Sequence, residues 1–173
     1  GRLSAIRHHL QPGSLVVAVG SVKEQPVRWM QELLPDTVDI LGTHPMFGPD
    51  SAADSLEGRK IVLCPVRTGA KRFEKVRHYL GSKGLVLIET GAEDHDRQIA
   101  VSLALTHTIG RSLALFGARP QEIDTEGYQR LLRILEVVEN DTWQLFEDMN
   151  RYNPYAQDAR QAFITAMQAI EGK

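Results

Sequence analysis

The chain has 173 residues, 42% hydrophobic and 24% charged, with a net charge of −2, enough for one domain or two small ones with a buried core. This balance offers no cluster of Lys and Arg for nucleic acid. No apolar run approaches the roughly 20 residues of a bilayer span, no signal peptide is recognisable, and no membrane partner is expected.

Residues Gly1 to Ser4 read as the middle of a helix. After the turn Pro12-Gly13, the run Leu15 to Val19 is continuously apolar, and Val38 to Leu41, Lys60 to Cys64 and Leu85 to Glu89 repeat the pattern. Short β-branched runs without alternation predict strands covered on both faces. A helical stretch, Glu24 to Leu34, separates the first two. Such a strand-helix-strand unit gives parallel strands. A second helix, about Ala70 to Leu80, separates the third and fourth. The lone cysteine, Cys64, reads as a small buried hydrophobe; no internal disulfide is possible, and a reducing cytoplasm is the expected compartment.

Past Glu89 the strand signals stop. Thr90 and Glu93 fit a capping box, and a long helix is predicted to about Gly117. Further helices are predicted over Glu126 to Asn140 and Thr142 to Tyr152, and a last one from Asn153-Pro154 with Tyr155, Ala159, Phe163, Met167 and Ile170 on one stripe. The fold class is therefore α/β followed by all-α. A partial Rossmann-like, mostly parallel sheet occupies residues 1–90, and a helical domain occupies 91–173. The helix from Ala92 is apolar most of the way round and needs cover on nearly all sides. A homodimer through the helical domain supplies it.

Two segments carry candidate chemistry: Gly20-Ser21-Val22-Lys23 after the first strand, and the loop Gly42-Thr43-His44-Pro45-Met46-Phe47-Gly48-Pro49-Asp50 after the second. Strand carboxyl ends form the rim where ligands bind in a parallel α/β sheet. A histidine there takes a proton from a hydroxyl near neutrality, and a serine beside it orients ring or substrate. Plainer readings stand beside these. Ser21 with Glu24 is also a capping box, His44 a structural histidine, and Lys23 a surface lysine in the first turn of a helix. His107 lies on an apolar stripe and reads as a satisfied core residue. Arg133 sits among Leu131, Leu132 and Ile134, and a mostly buried arginine wants a carboxylate. No His and carboxylate pair has metal-ligand spacing, so no metal is expected.

The run Gly42 to Asp50 resembles the His-Pro-Met-x-Gly signature of prephenate and arogenate dehydrogenases. Ser21-Val22-Lys23 resembles their Ser-Val-Lys segment, His95-Asp96 with His107 their His-Asp...His helix, and Gly127-Tyr128 to Arg133-Ile134 their Gly-Phe...Thr-Arg-Ile element. The matches run in family order over nearly the whole chain. The resemblance implies an NAD- or NADP-dependent oxidative decarboxylation of prephenate or arogenate, the tyrosine-forming step. It makes His44 and Ser21 catalytic and gives Arg133, His107 and Asp50 to the substrate. Ser21, Lys23 and Pro45 go to the cofactor. The family's Gly-x-Gly-x-x-Gly turn, which grips the cofactor pyrophosphate, does not occur in this sequence. Roughly the first half of that domain, and the family's final helix, are therefore expected outside this chain, and the chain alone is expected to be inactive. Two alternatives remain. One is another β-hydroxyacid dehydrogenase, which relies on a helical lysine. The other is a non-catalytic dimeric module that binds an aromatic metabolite.

Overall fold

The computed structural model describes residues 2–48 and 50–171. After a short helix, Arg2–Ile6 (α1), the strands Leu15–Ala18 (β1) and Asp39–Pro45 (β2) lie side by side in parallel, with Val16 opposite Ile40 and Ala18 opposite Gly42. The helix Glu24–Leu33 (α2) connects them, which is the strand-helix-strand unit that the hydrophobic runs predict. Lys60–Arg67 (β3) runs antiparallel to β2, and Val86–Glu89 (β4), reached through the helix Ala70–Gly81 (α3), runs parallel to β3. The strand order is β1-β2-β3-β4.

Two predicted details change. β2 does not stop at Leu41 but continues through Pro45, because residues 41–45 pair with β3: Gly42 faces Cys64, His44 faces Val62 and Pro45 faces Ile61. His44 is thus a strand residue, not a loop residue. Cover on both faces holds for the inner strands β2 and β3. It fails at the outer ones, where Val17 and Ile88 are exposed.

Val27 and Met30 of α2 pack with Leu34, Val38 and Ile40, against Leu10, Val16 and Val66. Each such buried aliphatic side chain contributes about 1.5–3 kcal/mol. Arg67 ties the end of α2 to β2: its guanidinium donates to the Val38 carbonyl at 2.9 Å and the Pro35 carbonyl at 2.7 Å, and pairs with Asp36 at 2.8 Å.

The helical part starts with Ala92–Ile99 (α4), passes through Ala100–Ala104, and continues as Leu105–Phe116 (α5). The middle segment is a π turn, with the Leu105 amide bonded to the Ala100 carbonyl five residues back. The Thr90 amide, which a capping box would give to Glu93, donates instead to the Leu63 carbonyl (3.1 Å). Glu126–Glu139 (α6) and Trp143–Tyr152 (α7) are capped by Thr125 and Thr142, whose hydroxyls accept from the amides of Tyr128 (3.2 Å) and Leu145 (3.1 Å). The last helix, Ala156–Glu171 (α8), begins later than predicted. Asn153 still caps it, with its amide oxygen accepting from the Tyr155 N–H at 2.9 Å. The contacts divide the chain into two compact units at His95/Asp96.

The continuous helix Ala92–Phe116 is 25 residues long, and an 18-residue window of it has a mean hydropathy of 1.4. By length and composition it is sufficient to cross a bilayer, which corrects the expectation that no segment qualifies. Two polar side chains inside it, His107 and Arg111, are buried within the helical unit. Leu115 and Phe116, each 82% exposed, stand uncovered at its end.

Helices α5 and α6 are in close contact at Gly110. A Cβ there would lie 2.5 Å from Val138 Cγ2 and 3.0 Å from the Ile134 carbonyl oxygen. The glycine is therefore a spacing requirement. Gly110→Ala is expected to destabilise the chain by about 1–3 kcal/mol through overpacking, measured as a lower urea midpoint. A wild-type midpoint would contradict the close crossing.

Candidate active site

His44 sits two residues past Gly42, where β1 and β2 stop pairing. It faces Val62 on β3, and Val62 faces Ile88 on β4. The side chain is only 6% exposed. Its Nδ1 lies 2.9 Å from Nε2 of His95, which is 3% exposed, in the first turns of α4. The rings meet edge to face with centroids 5.1 Å apart. A bond between two imidazoles needs a proton on one nitrogen and a lone pair on the other, so the tautomers of the two rings are coupled.

The Ser21 segment leaves the adjacent parallel strand at the same end. The Ser21 capping box is not formed: α2 starts at Glu24, Lys23 holds the N-cap position, and no side chain caps it. The half-buried Ser21 hydroxyl has no partner among the described residues. Beside it, nothing lies within 4 Å of where a Cβ on Gly20 would project.

The surface reading of Lys23 is also wrong. Lys23 is completely buried. Its ammonium donates to the Gly20 carbonyl and, at 3.1 Å, to the Val22 carbonyl. The stem passes over β2 at Gly42, where an added Cβ would stand 3.1 Å from Lys23 Cδ and 3.2 Å from Cys64 Cβ. Together with the Thr43 hydroxyl, which donates to the Ala18 carbonyl (3.4 Å), this fastens the serine segment beside the histidine strand.

Pro45 ends β2. Beyond it, Met46, Phe47, Glu57, Gly58, Arg59 and Lys60 line an open depression of about 410 Å³ that includes neither His44 nor Ser21. Pro49 and the side chain of Asp50 lie outside the described residues.

The other two predicted residues belong to the helical unit. His107 is 2% exposed, with Nε2 3.4 Å from Asp141 Oδ2 and no hydrogen-bond partner on Nδ1. Burial lowers its pKa below the usual histidine value; Asp141 pulls up and Arg111 pushes down. Arg111 was not singled out in the sequence. It donates to the Asp141 carbonyl, and its guanidinium carbon lies 4.5 Å from the Trp143 ring centroid. Arg133 is exposed, which corrects the expectation of a mostly buried arginine. Leu132, Leu135 and Val138 form the buried stripe of α6, and position 133 points to another face. His95 was noted only as part of a motif, yet it is the residue that the structure places on His44. Among the described residues, no cluster of three His, Cys, Asp or Glu side chains could hold a metal ion.

A parallel β1–β2 pair joined through α2, with a serine segment and a histidine at its carboxyl end and helices following, is a Rossmann-like α/β arrangement, in which ligands bind at the strand carboxyl ends. Residues 2–89 match the family model described as prephenate dehydrogenase, nucleotide-binding domain, and the chain belongs to that family. Residues 112–173 match a second model, TYRAAT1-like, C-terminal domain. Chloroplastic arogenate dehydrogenase 2 of Arabidopsis thaliana is 36% identical over 167 residues, covering 94% of this chain and 47% of the relative. A probable arogenate/prephenate dehydrogenase of Methanocaldococcus jannaschii is 27% identical over 180 residues, covering 97% and 39%. The chain thus spans less than half the length of these curated relatives. Among solved structures, prephenate dehydrogenase from Aquifex aeolicus with hydroxyphenyl propionate and NAD+ superposes with a TM-score of 0.74 at 23% identity, covering 98% of this chain and 63% of that one. Synechocystis arogenate dehydrogenase gives 0.69 at 22%, covering 99% and 66%. These two establish the fold.

Two measurements test the geometry. Gly42→Ala forces Lys23 or Cys64 aside, so a loss of about 1–3 kcal/mol is expected, with faster amide exchange at Ser21 to Lys23. Unchanged exchange would separate the lysine from the loop. For His107, the lowered pKa means the unfolded chain takes up a proton before the folded one does. Stability from this group is present above about pH 6.5 and is lost as pH falls through the folded value. His107→Gln should flatten the fall in urea midpoint between about pH 7 and 5; an identical slope would contradict it.

Proposed function

We infer that this chain is the part of a prephenate or arogenate dehydrogenase that carries the proton-accepting histidine. The single observation behind this is His44: a buried imidazole fixed on a strand end, with Nδ1 already committed to His95. In this reading the ring nitrogen that serves a substrate hydroxyl is Nε2. When bound, a nicotinamide cofactor supplies the hydride acceptor for oxidation of the carbinol carbon. His44 takes the hydroxyl proton as the carbonyl forms, a role that contributes roughly 10²–10⁴-fold in comparable sites. Loss of carbon dioxide then leaves an aromatic ring.

Ser21, with a hydroxyl that no described residue engages, is available to orient the substrate oxygen. The open space beside Gly20 and the close packing at Gly42 fit a flat ring laid across the strand ends. Pro45 closes β2 next to that space. The residues present fit the nicotinamide end of NAD or NADP and not its pyrophosphate, for which no glycine-rich turn is among them. Arg133, exposed on α6, holds a substrate carboxylate as a paired fork. Asp50 and His107 complete the proposed substrate set, with His107 acting from inside the helical unit.

We also propose that a second copy of the chain covers the exposed apolar end of the helical unit, rather than a membrane. Leu115 and Phe116 are among the side chains it would bury.

The deciding experiment uses an intact dehydrogenase carrying this chain together with a complete nucleotide-binding half. Prephenate and arogenate are assayed with NAD and with NADP, beside His44→Asn. The variant is expected to lose at least about a hundredfold in kcat, with KM changed far less. Wild-type turnover by His44→Asn would remove the histidine from the chemistry.

A further inference from the structure

His95 is a buried imidazole to which the proposed mechanism gives no task. It stands directly behind the proposed base, 2.9 Å from the nitrogen that does not face substrate. Both rings are almost fully removed from water. A proton accepted by His44 while substrate covers the site therefore meets the second ring rather than bulk solvent.

The bond between the rings exists in two arrangements. In the first, His44 carries its proton on Nδ1, donates to His95 Nε2, and keeps Nε2 bare as a base. In the second, His95 Nε2 donates to a bare His44 Nδ1, and His44 carries its proton on Nε2. Only the first arrangement accepts a substrate proton.

We propose that His95 is a positioning residue that sets His44 in the base-competent tautomer and then receives its Nδ1 proton, so that the two imidazoles form a relay. The proposal rests on the reading of His44 as the base. The step balances. The O–H bond of the substrate breaks as its electron pair becomes part of the new carbonyl and the hydride leaves to the nicotinamide. The hydroxyl proton forms the His44 Nε2–H bond. The His44 Nδ1–H bond breaks and the proton forms the His95 Nε2–H bond. His44 ends neutral in the other tautomer and His95 ends as the imidazolium; once product leaves, the His95 Nε2 proton returns to His44 Nδ1 and His44 Nε2 gives up the accepted proton through the emptied site, which restores the first arrangement.

His95 follows β4 by six residues, and its ring meets that of His44 on β2.

Two experiments test this. In the 173-residue chain with ¹⁵N-labelled histidine, NMR should show His44 with its proton on Nδ1. His95→Gln, whose amide oxygen can still accept that bond, should keep the tautomer, and His95→Phe should lose it. This readout requires no activity. In the intact dehydrogenase, His95→Gln should lower kcat by about tenfold or more with KM nearly unchanged, because the base is oriented but the onward transfer is gone. Resident Nε2–H on His44 in the native chain would overturn the proposal. So would native kcat in His95→Gln in an enzyme where His44→Asn is inactive; that result leaves the base reading standing. Full turnover by His44→Asn removes base and relay together. Should His95→Phe fail to fold, His95→Gln carries the test alone.

Discussion

A bare α-carbon at position 42 is the constraint on which the site depends. Every other residue type would place a Cβ where the stem of Lys23 crosses β2. With glycine there, a lysine is buried along the strand and its ammonium donates to two carbonyls of its own loop. A buried ammonium is tolerated only when its protons are satisfied in this way. The result is mechanical: the serine segment is clamped beside the histidine strand by a side chain that reaches no solvent. Two residues further on, the same strand delivers His44, whose ring meets that of His95. Glycine, lysine and histidine are thus one assembly spread over three elements.

Much of the fold was legible because burial leaves a period. The apolar runs near positions 15, 38, 60 and 85 located the four strands to within a few residues. Thr142 and Asn153 announced helix starts through cap chemistry that depends on local spacing. What local spacing could not show was pairing. Residues 42–45 look like a turn, with Gly, Thr and Pro in succession. Only the antiparallel partner β3 makes them a strand, since Gly42 needs Cys64 and His44 needs Val62 opposite. The misplacement of His44 in a loop followed directly.

The candidate site was partly visible for the same reason. His44 and Ser21 stood out as chemistry beside glycines. Lys23 was misjudged because a charged side chain near a helix start is normally solvated, and its burial arises from a glycine nineteen residues away. Arg133 was misjudged in the opposite direction. Its sequence neighbours are apolar, yet a helix turns each successive residue by about 100°, so flanking leucines do not share its surroundings. His95 is separated from His44 by fifty-one positions, and no pattern within one element couples them. A histidine opening the helix after the fourth strand was the available signal, readable only once the sheet order was known.

The π turn at Ala100–Ala104 has a consequence for how the long helix is read. One additional residue in a turn advances the phase of all that follows, so the segments before and after it keep separate angular registers. Side chains that a single helical wheel would stack in one column fall in two. His107 and Arg111, both buried, lie on the segment after that offset. The insertion works as a fixed rotation built into the backbone, and restoring regular winding would swing the second half of the helix by roughly a quarter turn.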